Sequence, residues 1–440
     1  MKASSITSFV LTAALAVALS ACSEKELILK GERTAVLPAL DFVTIDTDAA
    51  DEGAQLGDAR VNRAFTHAGG TSGHAIGHLS LGDRISPVWQ VSIEKAPDIT
   101  VELAQPVIAN DAVYALGGDG MLHALNLNDG AVLWTQTVEV LIDEPLPGVA
   151  GGIAASDNYI VAHASQFDLV SLDPASGEVR WRVTHPERLK GGPTLVNEEG
   201  VLVSDVNGEL YLYDLETGAG LWQRAGLPTN TVVFGAPAPA YAGTEVVLAG
   251  AGGEIAIYDP ASGDLLWADS LASLNPRTPL QELGDVLAHP VHDGSLLFVI
   301  SQSGRMVAFQ AATGIEIWEQ PISSIEMPWV AGDTIFVTSV DGRLYSLRRN
   351  DGAARWITEM PGALPLGTFA SETIPSFSMP VVASGQVYVL DRNGHLRSYD
   401  AQTGAQLSDQ SLSGTFTTPP TVAQESLILL NHQGTLFVYR

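Results

Sequence analysis

The chain has very little cysteine and few basic residues, and these shortages exclude several classes of protein. Cys22 is the only cysteine among 440 residues, so the sequence can form no internal disulfide and contains no zinc-binding cysteine pair. Lysine and arginine number 22 against 50 aspartates and glutamates, which gives a net charge of -28. Such a chain repels the phosphates of nucleic acids and of anionic lipids, so we expect neither as a partner.

Long apolar runs are also scarce, and the clearest one lies at the N-terminus. It follows Lys2, extends over Phe9–Leu19 and is too short to span a bilayer comfortably, which is typical of a secretory signal. The residues Leu19-Ser20-Ala21-Cys22 resemble a bacterial lipobox, in which the cysteine is lipidated and becomes the new N-terminus. We therefore predict a signal peptide over residues 1–21 and a lipid anchor on Cys22. Ser23 rather than aspartate follows, which favours the periplasmic face of the outer membrane over retention in the inner membrane.

A short phrase recurs along the rest of the chain. It reads GELYLYDLETGAGLW from Gly208 and GEIAIYDPASGDLLW from Gly253. Each copy alternates apolar residues, and most open with glycine after Asn, Asp, Ser or Gln, as expected of a strand that leaves a tight hairpin. The eight copies begin at Gly120, Phe167, Gly208, Gly253, Gly304, Gly342, Gly394 and Gly434.

Most copies continue into a second turn and then a tryptophan. The turn has an acidic or amide residue and a glycine, as in DPASG, and tryptophan stands four residues after that glycine. With the strand upstream of each hairpin and a further strand often introduced by proline, each unit has four antiparallel strands. Because these tryptophans recur at one position, we interpret them as packing between units rather than as ligand contacts. They are Trp89, Trp134, Trp181, Trp222, Trp267, Trp318 and Trp356, with Ser408 at the equivalent position of one unit.

The two ends of the repeat region complement each other. The last copy ends at Arg440 with a third strand and no fourth, whereas Ile85–Glu94 contains Trp89 in a fourth strand with no third. Pairing these strands closes a ring and removes sheet edges that the alternative, an open solenoid, would leave exposed. The repeat therefore predicts an all-β fold over residues 85–440, an eight-bladed β-propeller of four-stranded antiparallel blades.

Residues 22–84 lie outside the repeat. We interpret them as a lipid-anchored tether, packed in part against the ring, with a mobile acidic stretch DTDAADEGAQLGDAR. The glycine-rich part contains His67, His74 and His78, but no carboxylate or cysteine completes a ligand set, so we expect no metal site. Aspartates that recur at the second turn are interpreted as caps of local backbone groups rather than catalytic acids.

The Gly-x-Leu strand, the Asp…Thr-Gly turn and the tryptophan resemble the quinoprotein-type propeller repeat. Together with the lipobox, the eight blades and the terminal clasp, they make the chain similar to the BamB family, lipoprotein subunits of the outer-membrane β-barrel assembly machinery. The resemblance covers the signal and residues 85–440. It implies a scaffold without catalytic activity or cofactor that binds the periplasmic domains of the barrel subunit BamA. It leaves open whether nascent outer-membrane proteins are also contacted.

The resemblance also implies a partner-binding site on two neighbouring inter-blade loops. The first loop corresponds to Thr231, Val233 and Phe234, where Phe234 replaces the family's arginine. The second corresponds to Asp285 and Leu287, where Leu287 replaces a second aspartate. Both loops follow a tryptophan strand in consecutive units, so we expect them side by side on one face of the ring.

Two other functions remain open at this stage. A quinone-dependent dehydrogenase can use the same propeller, although such enzymes use calcium, and many have a disulfide of adjacent cysteines that one cysteine cannot form. A periplasmic propeller that binds extended peptides along a sheet edge would share every feature except the two loops. The sequence contains no phosphate-binding loop, GxSxG elbow or zinc-protease motif.

Overall fold

Eight four-stranded antiparallel sheets form a closed ring, which confirms the predicted propeller. The structure is a computed structural model that describes residues 42–82, 85–98, 101–139, 148–149, 151–164, 166–226, 237–250, 252–272, 286–364 and 376–440. In seven of the sheets the four strands follow one another along the chain, and each strand pairs with its sequence neighbours. We number these sheets as blades 1 to 7 in chain order and call the remaining one blade 8.

The strand bounds follow the predicted repeat. Blade 1 has β3 Val107–Ala109, β4 Ala112–Leu116, β5 Met121–Asn126 and β6 Val132–Thr137; blade 2 has β8 Gly152–Ala155, β9 Ile160–His163, β10 Asp168–Leu172 and β11 Val179–Thr184. Blade 3 has β12 Leu189–Val196, β13 Gly200–Asp205, β14 Leu210–Asp214 and β15 Gly220–Arg224; blade 4 has β16 Ala240–Tyr241, β17 Val246–Ala249, β18 Glu254–Tyr258 and β19 Leu265–Ser270. Blade 5 has β20 Val291–His292, β21 Leu296–Ile300, β22 Met306–Gln310 and β23 Ile315–Gln320; blade 6 has β24 Trp329–Ala331, β25 Thr334–Thr338, β26 Arg343–Arg348 and β27 Ala354–Glu359. Blade 7 has β28 Val381–Ala383, β29 Gln386–Leu390, β30 His395–Asp400 and β31 Gln406–Ser411. Two short strands outside the blades, β2 Val101–Glu102 and β7 Gly148–Val149, pair in parallel.

Blade 8 is built from both ends of the repeat region, as predicted. It combines β32 Thr421–Ala423, β33 Ser426–Leu430 and β34 Thr435–Tyr439 with β1 Pro87–Ser92. In the register Trp89 pairs with Val438 and Val91 with Leu436. The backbones of Ser86 and Arg440 exchange two further hydrogen bonds of 2.7 and 2.9 Å. The outer strand of this blade therefore comes from the start of the ring and its other three strands from the end.

The hydrophobic core lies between successive blades. The second strands are almost entirely buried, as in β4, β25 and β33, because sheets cover both of their faces. One cluster, for example, joins Val247 of blade 4 to Val299 and Phe309 of blade 5. The fourth strands are more exposed, since they form the outer rim of the ring.

The repeated tryptophans join each blade to the next. Each indole lies on the turn glycine of the following blade, where an added Cβ would come within 2.5–2.8 Å of the ring atoms. Each Nε1–H also donates to a backbone carbonyl of that blade at 2.7–3.0 Å; the acceptors are Leu127, Pro174, Leu215, Pro260, Ala311, Arg349 and Ala401. Stacking and hydrogen bonding thus fix seven of the eight junctions between blades.

The aspartates of the second turn cap backbone N–H groups. Asp259 accepts from Ala261 and Ser262 at 2.9 and 2.8 Å, and Asp400 accepts from Gln402 and Thr403 at 3.0 and 2.8 Å. These hydrogen bonds lower the pKa of Asp259, because they favour its charged form. The turns are therefore held by their own side chains.

The acidic stretch near the N-terminus forms a helix bound to the ring. Helix α1, Thr47–Glu52, is preceded by its N-cap residue Asp46, whose carboxylate accepts the N–H of Ala49 at 2.9 Å. Ile45 bridges to Ala354 at the start of β27. Gln402 exchanges two hydrogen bonds with Ala54, of 2.9 and 2.6 Å. Where the sequence predicts a mobile stretch, the structure thus has an ordered, capped helix.

The following glycine-rich residues run around the inside of the ring. We call residues 62–81 the plug, because they contact the first strand of each blade, or the hairpin after it, in turn. One hydrogen bond per blade shows the path: Gln424 N to Asn62 O, 2.8 Å; Ile108 N to Phe65 O, 2.7 Å; Ala155 N to Thr66 O, 2.8 Å; Leu195 N to His67 Nε2, 3.0 Å; Tyr241 N to Ser72 O, 2.7 Å; His292 N to Gly73 O, 2.9 Å; Trp329 Nε1 to Gly77 O, 2.9 Å; Ser384 N to Leu79 O, 2.8 Å. The plug satisfies inner strand edges that would otherwise remain open.

The segment 42–82 packs against the ring, which the interpretation of residues 22–84 as a tether allowed only in part. Its residues Phe65 and Leu79 are fully buried and belong to the main hydrophobic cluster of the ring. Close packing also explains a glycine: Gly70 has a φ of 103°, and a Cβ there would lie 2.1 Å from Ile76. Residues 22–41, including Cys22, lie outside the described residues.

Candidate partner-binding face

The strand order divides the ring into two faces. The hairpins between second and third strands and the connections from each fourth strand to the next blade share one face, which we call the hairpin face. Backbone hydrogen bonds join these two features, since the first residue after a fourth strand donates to the hairpin glycine of its own blade. Examples are Val138 to Gly120 at 2.9 Å and Leu271 to Gly253 at 2.7 Å. The opposite face holds the plug, and we call it the plug face.

The residues predicted to bind a partner belong to two connections on the hairpin face. Thr231, Val233, Phe234 and Asp285 lie outside the described residues. Leu287 is described: it is half-buried, between the buried residues Val286 and Ala288.

The structure describes the anchor points of both connections. The first leaves blade 3 at Gly226, where an added Cβ would lie 1.8 Å from the carbonyl oxygen of Gly208. The second leaves blade 4 at Leu271, which is fully buried, and re-enters the core at Val286. Both connections therefore start from tightly packed residues on neighbouring blades.

A polar network stiffens the hairpin of blade 3 beside the first connection. Asp205 is 1% exposed, and its carboxylate accepts the N–H groups of Asn207 and Glu209 at 2.9 and 3.0 Å. The hydroxyl of Tyr211 donates to Glu209 at 2.7 Å, and the amide of Gln223 donates to the same carboxylate at 2.8 Å. Burial raises the pKa of Asp205 in spite of these bonds. The repeat pattern does not single out these residues, although an acidic residue on each side of Asn-Gly is a usable signal.

An arginine links blades 4 and 5 beside the second connection. Arg305 forms a bidentate pair with Glu319, with N–O distances of 2.9 and 2.8 Å, and donates to the carbonyl of Ser270 at 3.3 Å. Its hydrogen bonds to Glu319 raise the pKa of Arg305 further above its usual value. Glu316 and Asp269 also lie in its field, so the acidic groups here outnumber the basic one. A basic or apolar partner surface suits this region better than an acidic one.

The three histidines considered as metal ligands have structural contacts instead. His67 accepts the N–H of Leu195, His74 lies 2.7 Å from the carbonyl of Pro290, and His78 lies 2.9 Å from both Gly57 O and Gly385 N. Within the described ranges, no three His, Cys, Asp or Glu side chains are grouped as metal ligands would be. No helix in that part of the chain is long and apolar enough to cross a membrane.

The four-stranded blades, the Asp…Gly turns and the inter-blade tryptophans define a quinoprotein-type β-propeller. Solved structures of this architecture match the chain closely in fold. A quinohemoprotein alcohol dehydrogenase from Comamonas testosteroni has a TM-score of 0.65 at 13% identity, over 89% of this chain and 84% of that one. BamB from Moraxella catarrhalis has a TM-score of 0.67 at 22% identity, over 81% of this chain and 100% of that one.

The chain belongs to the family described as outer membrane protein assembly factor BamB. The family's model matches residues 118–358 and 366–439, which together make up more than half of the chain. Relatives that bear the same description include proteins from Yersinia pestis and Shewanella oneidensis. The one from Yersinia pestis is 21% identical and that from Shewanella oneidensis 25%, each over 358 residues. These alignments cover 80% of this chain and 88% and 87% of the relatives. The family predicted from the repeat is thereby confirmed.

Proposed function

We propose that this protein is a non-catalytic scaffold lipoprotein in the assembly and insertion of outer-membrane β-barrel proteins. It is anchored through Cys22 on the periplasmic face of the outer membrane. Its hairpin face docks to the periplasmic domains of a BamA-like barrel subunit. The observation that carries this proposal is the family match over both long stretches of the ring.

The architecture supports a docking role. Seven tryptophan junctions and the β1–β34 clasp hold the blades in fixed positions, so loops on one face can present a preorganised surface. The two connections proposed to bind the partner leave neighbouring blades from Gly226 and Leu271, both of which are packed tightly. Acidic groups around Arg305 favour a partner with basic residues.

A binding measurement with the barrel subunit tests the interface. We expect V233A/F234A/D285A to weaken binding to the purified periplasmic domains of a BamA-like subunit by about 30-fold or more, as the loss of an interface hot spot does. Affinity is measured by surface plasmon resonance, with far-UV circular dichroism to show that the ring remains folded.

The chain offers a matched control on the plug-face side of the rim. Asp264, Leu265 and Leu266 follow the turn of blade 4 and are exposed, the two leucines by 57% and 50%. The variant D264A/L265A/L266A removes the same kinds of side chain and is expected to bind normally. Equal affinity of V233A/F234A/D285A and the native chain, or an equal loss in both variants, would refute the proposed interface.

Isolation of the native complex from membranes separates the proposal from the two alternatives. Co-purification with a β-barrel membrane protein supports the scaffold. Saturable binding of a quinone in the presence of calcium supports a dehydrogenase instead. Binding of extended peptides without any barrel subunit supports a peptide-binding propeller.

A further inference from the structure

His67 fastens the plug to blade 3 as a neutral acceptor. Its Nε2 accepts the backbone N–H of Leu195 at 3.0 Å, and its Nδ1 lies 2.7 Å from the hydroxyl of Thr66. In blades 2 and 4 the equivalent backbone N–H groups of the propeller donate to backbone carbonyls of the plug. His67 thus takes the place of a carbonyl oxygen, and a ring nitrogen that accepts an N–H cannot also carry a proton.

His74 is also held in its neutral form. Its Nδ1 lies 2.7 Å from the carbonyl oxygen of Pro290, so this nitrogen donates, while its buried Nε2 has no hydrogen-bond partner in the described part of the chain. Its ring centroid lies 4.9 Å from that of His289, whose Nδ1 accepts the N–H of Ala238 at 2.8 Å. A proton on His74 would therefore place a buried cation against a second imidazole.

The charged groups around the plug do not offset such a cation. Glu245 is paired with His292 at 2.6 Å, and the buried imidazole of His163 lies 2.5 Å from the carbonyl oxygen of Gly191. Glu326 precedes Met327, which contacts Gly69 of the plug. The carboxylate of Glu326 accepts the N–H of Met379, and burial together with Glu102 raises the pKa of Glu326 to about 8. Burial lowers the pKa of His67 to about 3 and that of His74 to about 4.

We propose that the plug is an acid-labile latch: protonation of His67 and His74 releases residues 62–81 from the ring and uncovers the inner edges of the eight first strands. Release breaks at least one hydrogen bond to each blade while the β1–β34 clasp and the tryptophan junctions stay intact. The ring can therefore remain closed when the plug leaves.

The direction and size of the pH effect follow from proton linkage. While the plug is bound to the ring, both histidines have a pKa below the ordinary value of 6.5. The released plug therefore binds more protons, and the binding of the plug to the ring weakens as the pH falls below 6.5. Between pH 7.5 and pH 5 each histidine shifts the release equilibrium by about 30-fold, and the two together by about 10³-fold.

Hydrogen exchange of the full chain, read by mass spectrometry, tests the latch. After correction for the intrinsic pH dependence of exchange, peptides from residues 62–81 are expected to lose up to about 10³-fold protection at pH 5 relative to pH 7.5. Peptides from β13 and β25 are expected to keep theirs.

Two variants separate titration of these histidines from general acid sensitivity. In H67Q/H74N the glutamine oxygen can replace the accepting Nε2 and the asparagine amide can replace the donating Nδ1, without a titrating group. This variant is expected to keep the plug protected at pH 5. The control H395Q removes a half-exposed histidine that pairs with Asp409 on the rim, and it is expected to release the plug as the native chain does.

A disulfide gives an independent readout. A Cβ added to Gly192 would lie 3.5 Å from the Cβ of Ala68, a separation that a disulfide spans. In a C22S background, A68C/G192C is expected to retain the plug at pH 5 when oxidised and to release it when reduced. Equal protection of the plug at both pH values, or release from H67Q/H74N at pH 5 as readily as from the native chain, would overturn the proposal.

Discussion

The contact between a turn glycine and the tryptophan of the preceding blade can be tested at Gly314 and Trp267. Gly314 has a φ of 70°, and an added Cβ would lie 2.7 Å from the Trp267 ring. The indole donates to the carbonyl of Ala311 at 2.7 Å and packs 5.6 Å from the ring of Phe309. Gly314→Ala therefore adds a left-handed alanine and displaces an indole that joins two blades.

The two effects can be estimated separately. A left-handed non-glycine residue costs roughly 1–2 kcal/mol. Loss of the indole hydrogen bond costs about 1 kcal/mol, and loss of the aromatic contact costs about 1 kcal/mol more. We expect Gly314→Ala to lower the free energy of unfolding by about 3–4 kcal/mol in total.

A matched glycine isolates the backbone effect. Gly243 has a φ of 75°, but nothing lies within 4 Å of an added Cβ, so Gly243→Ala is expected to cost roughly 1–2 kcal/mol only. In a Trp267→Ala background Gly314→Ala should cost no more than that, which gives a coupling energy of about 2 kcal/mol. Urea unfolding followed by far-UV circular dichroism measures all four variants. A cost of Gly314→Ala no greater than that of Gly243→Ala, or an equal cost with and without the indole, would show that the indole contact does not stabilise the junction.

Three further predictions concern the junction between blades 7 and 8, a buried acid and the lipid anchor. Ser408→Trp is expected to shift the free energy of unfolding by less than about 0.5 kcal/mol, because blade 8 has no Asp…Gly turn on which the new indole could pack. A gain of about 2 kcal/mol in urea unfolding would contradict this. Burial and Glu102 raise the pKa of Glu326 to about 8, so its stabilising effect is complete below about 4.5 and is lost as the pH rises towards 8. Glu326→Gln should therefore stabilise the chain at pH 8, on the order of 4 kcal/mol, and change little at pH 4 in thermal melts at both pH values. Cys22→Ser is expected to abolish palmitate labelling in cells and to move the protein from the membrane to the soluble fraction, and continued labelling would disprove the lipid anchor.

The ring could be predicted from the sequence because each blade repeats the same physical solution. The alternating apolar residues from Gly253 onward specify a strand covered on both faces, and Asp259 with Gly263 specifies the turn that follows it. Each copy gives an independent indication, so an irregular one, such as that with Phe167, does not change the conclusion. Strand order then determines the two faces of the ring.

The plug could not be predicted in the same way. Its bonds to the ring are mostly made by backbone groups, as where Ile108 donates to Phe65 and Tyr241 donates to Ser72. Backbone bonds leave no side-chain period in the sequence, and each partner lies on a different blade. The glycines indicated a loop, whereas they serve close packing, as Gly70 does against Ile76.

The candidate site could be predicted only in part from the sequence, because its residues also lie outside the repeat. The connections that carry Val233 and Asp285 are irregular, so their positions follow from the strand order but their side chains are not constrained by the repeat. The hairpin network of Asp205 and Tyr211 depends on two strands that place these residues together. A repeat predicts where a loop leaves the ring, whereas the surface of the binding partner determines which residues the loop needs.

The one exception to the tryptophan pattern supports the same account of the ring. Each tryptophan lies on the Asp…Gly turn of the next blade, so a blade needs this residue only if its neighbour has such a turn. The neighbour of blade 7 is blade 8, whose third and fourth strands come from opposite ends of the chain and are joined by no turn. Ser408 faces this junction and instead hydrogen-bonds Ser398 at 2.7 Å within its own sheet. The missing tryptophan and the split blade are therefore two consequences of one closure, and the position of the serine alone identifies the blade at which the ring is joined.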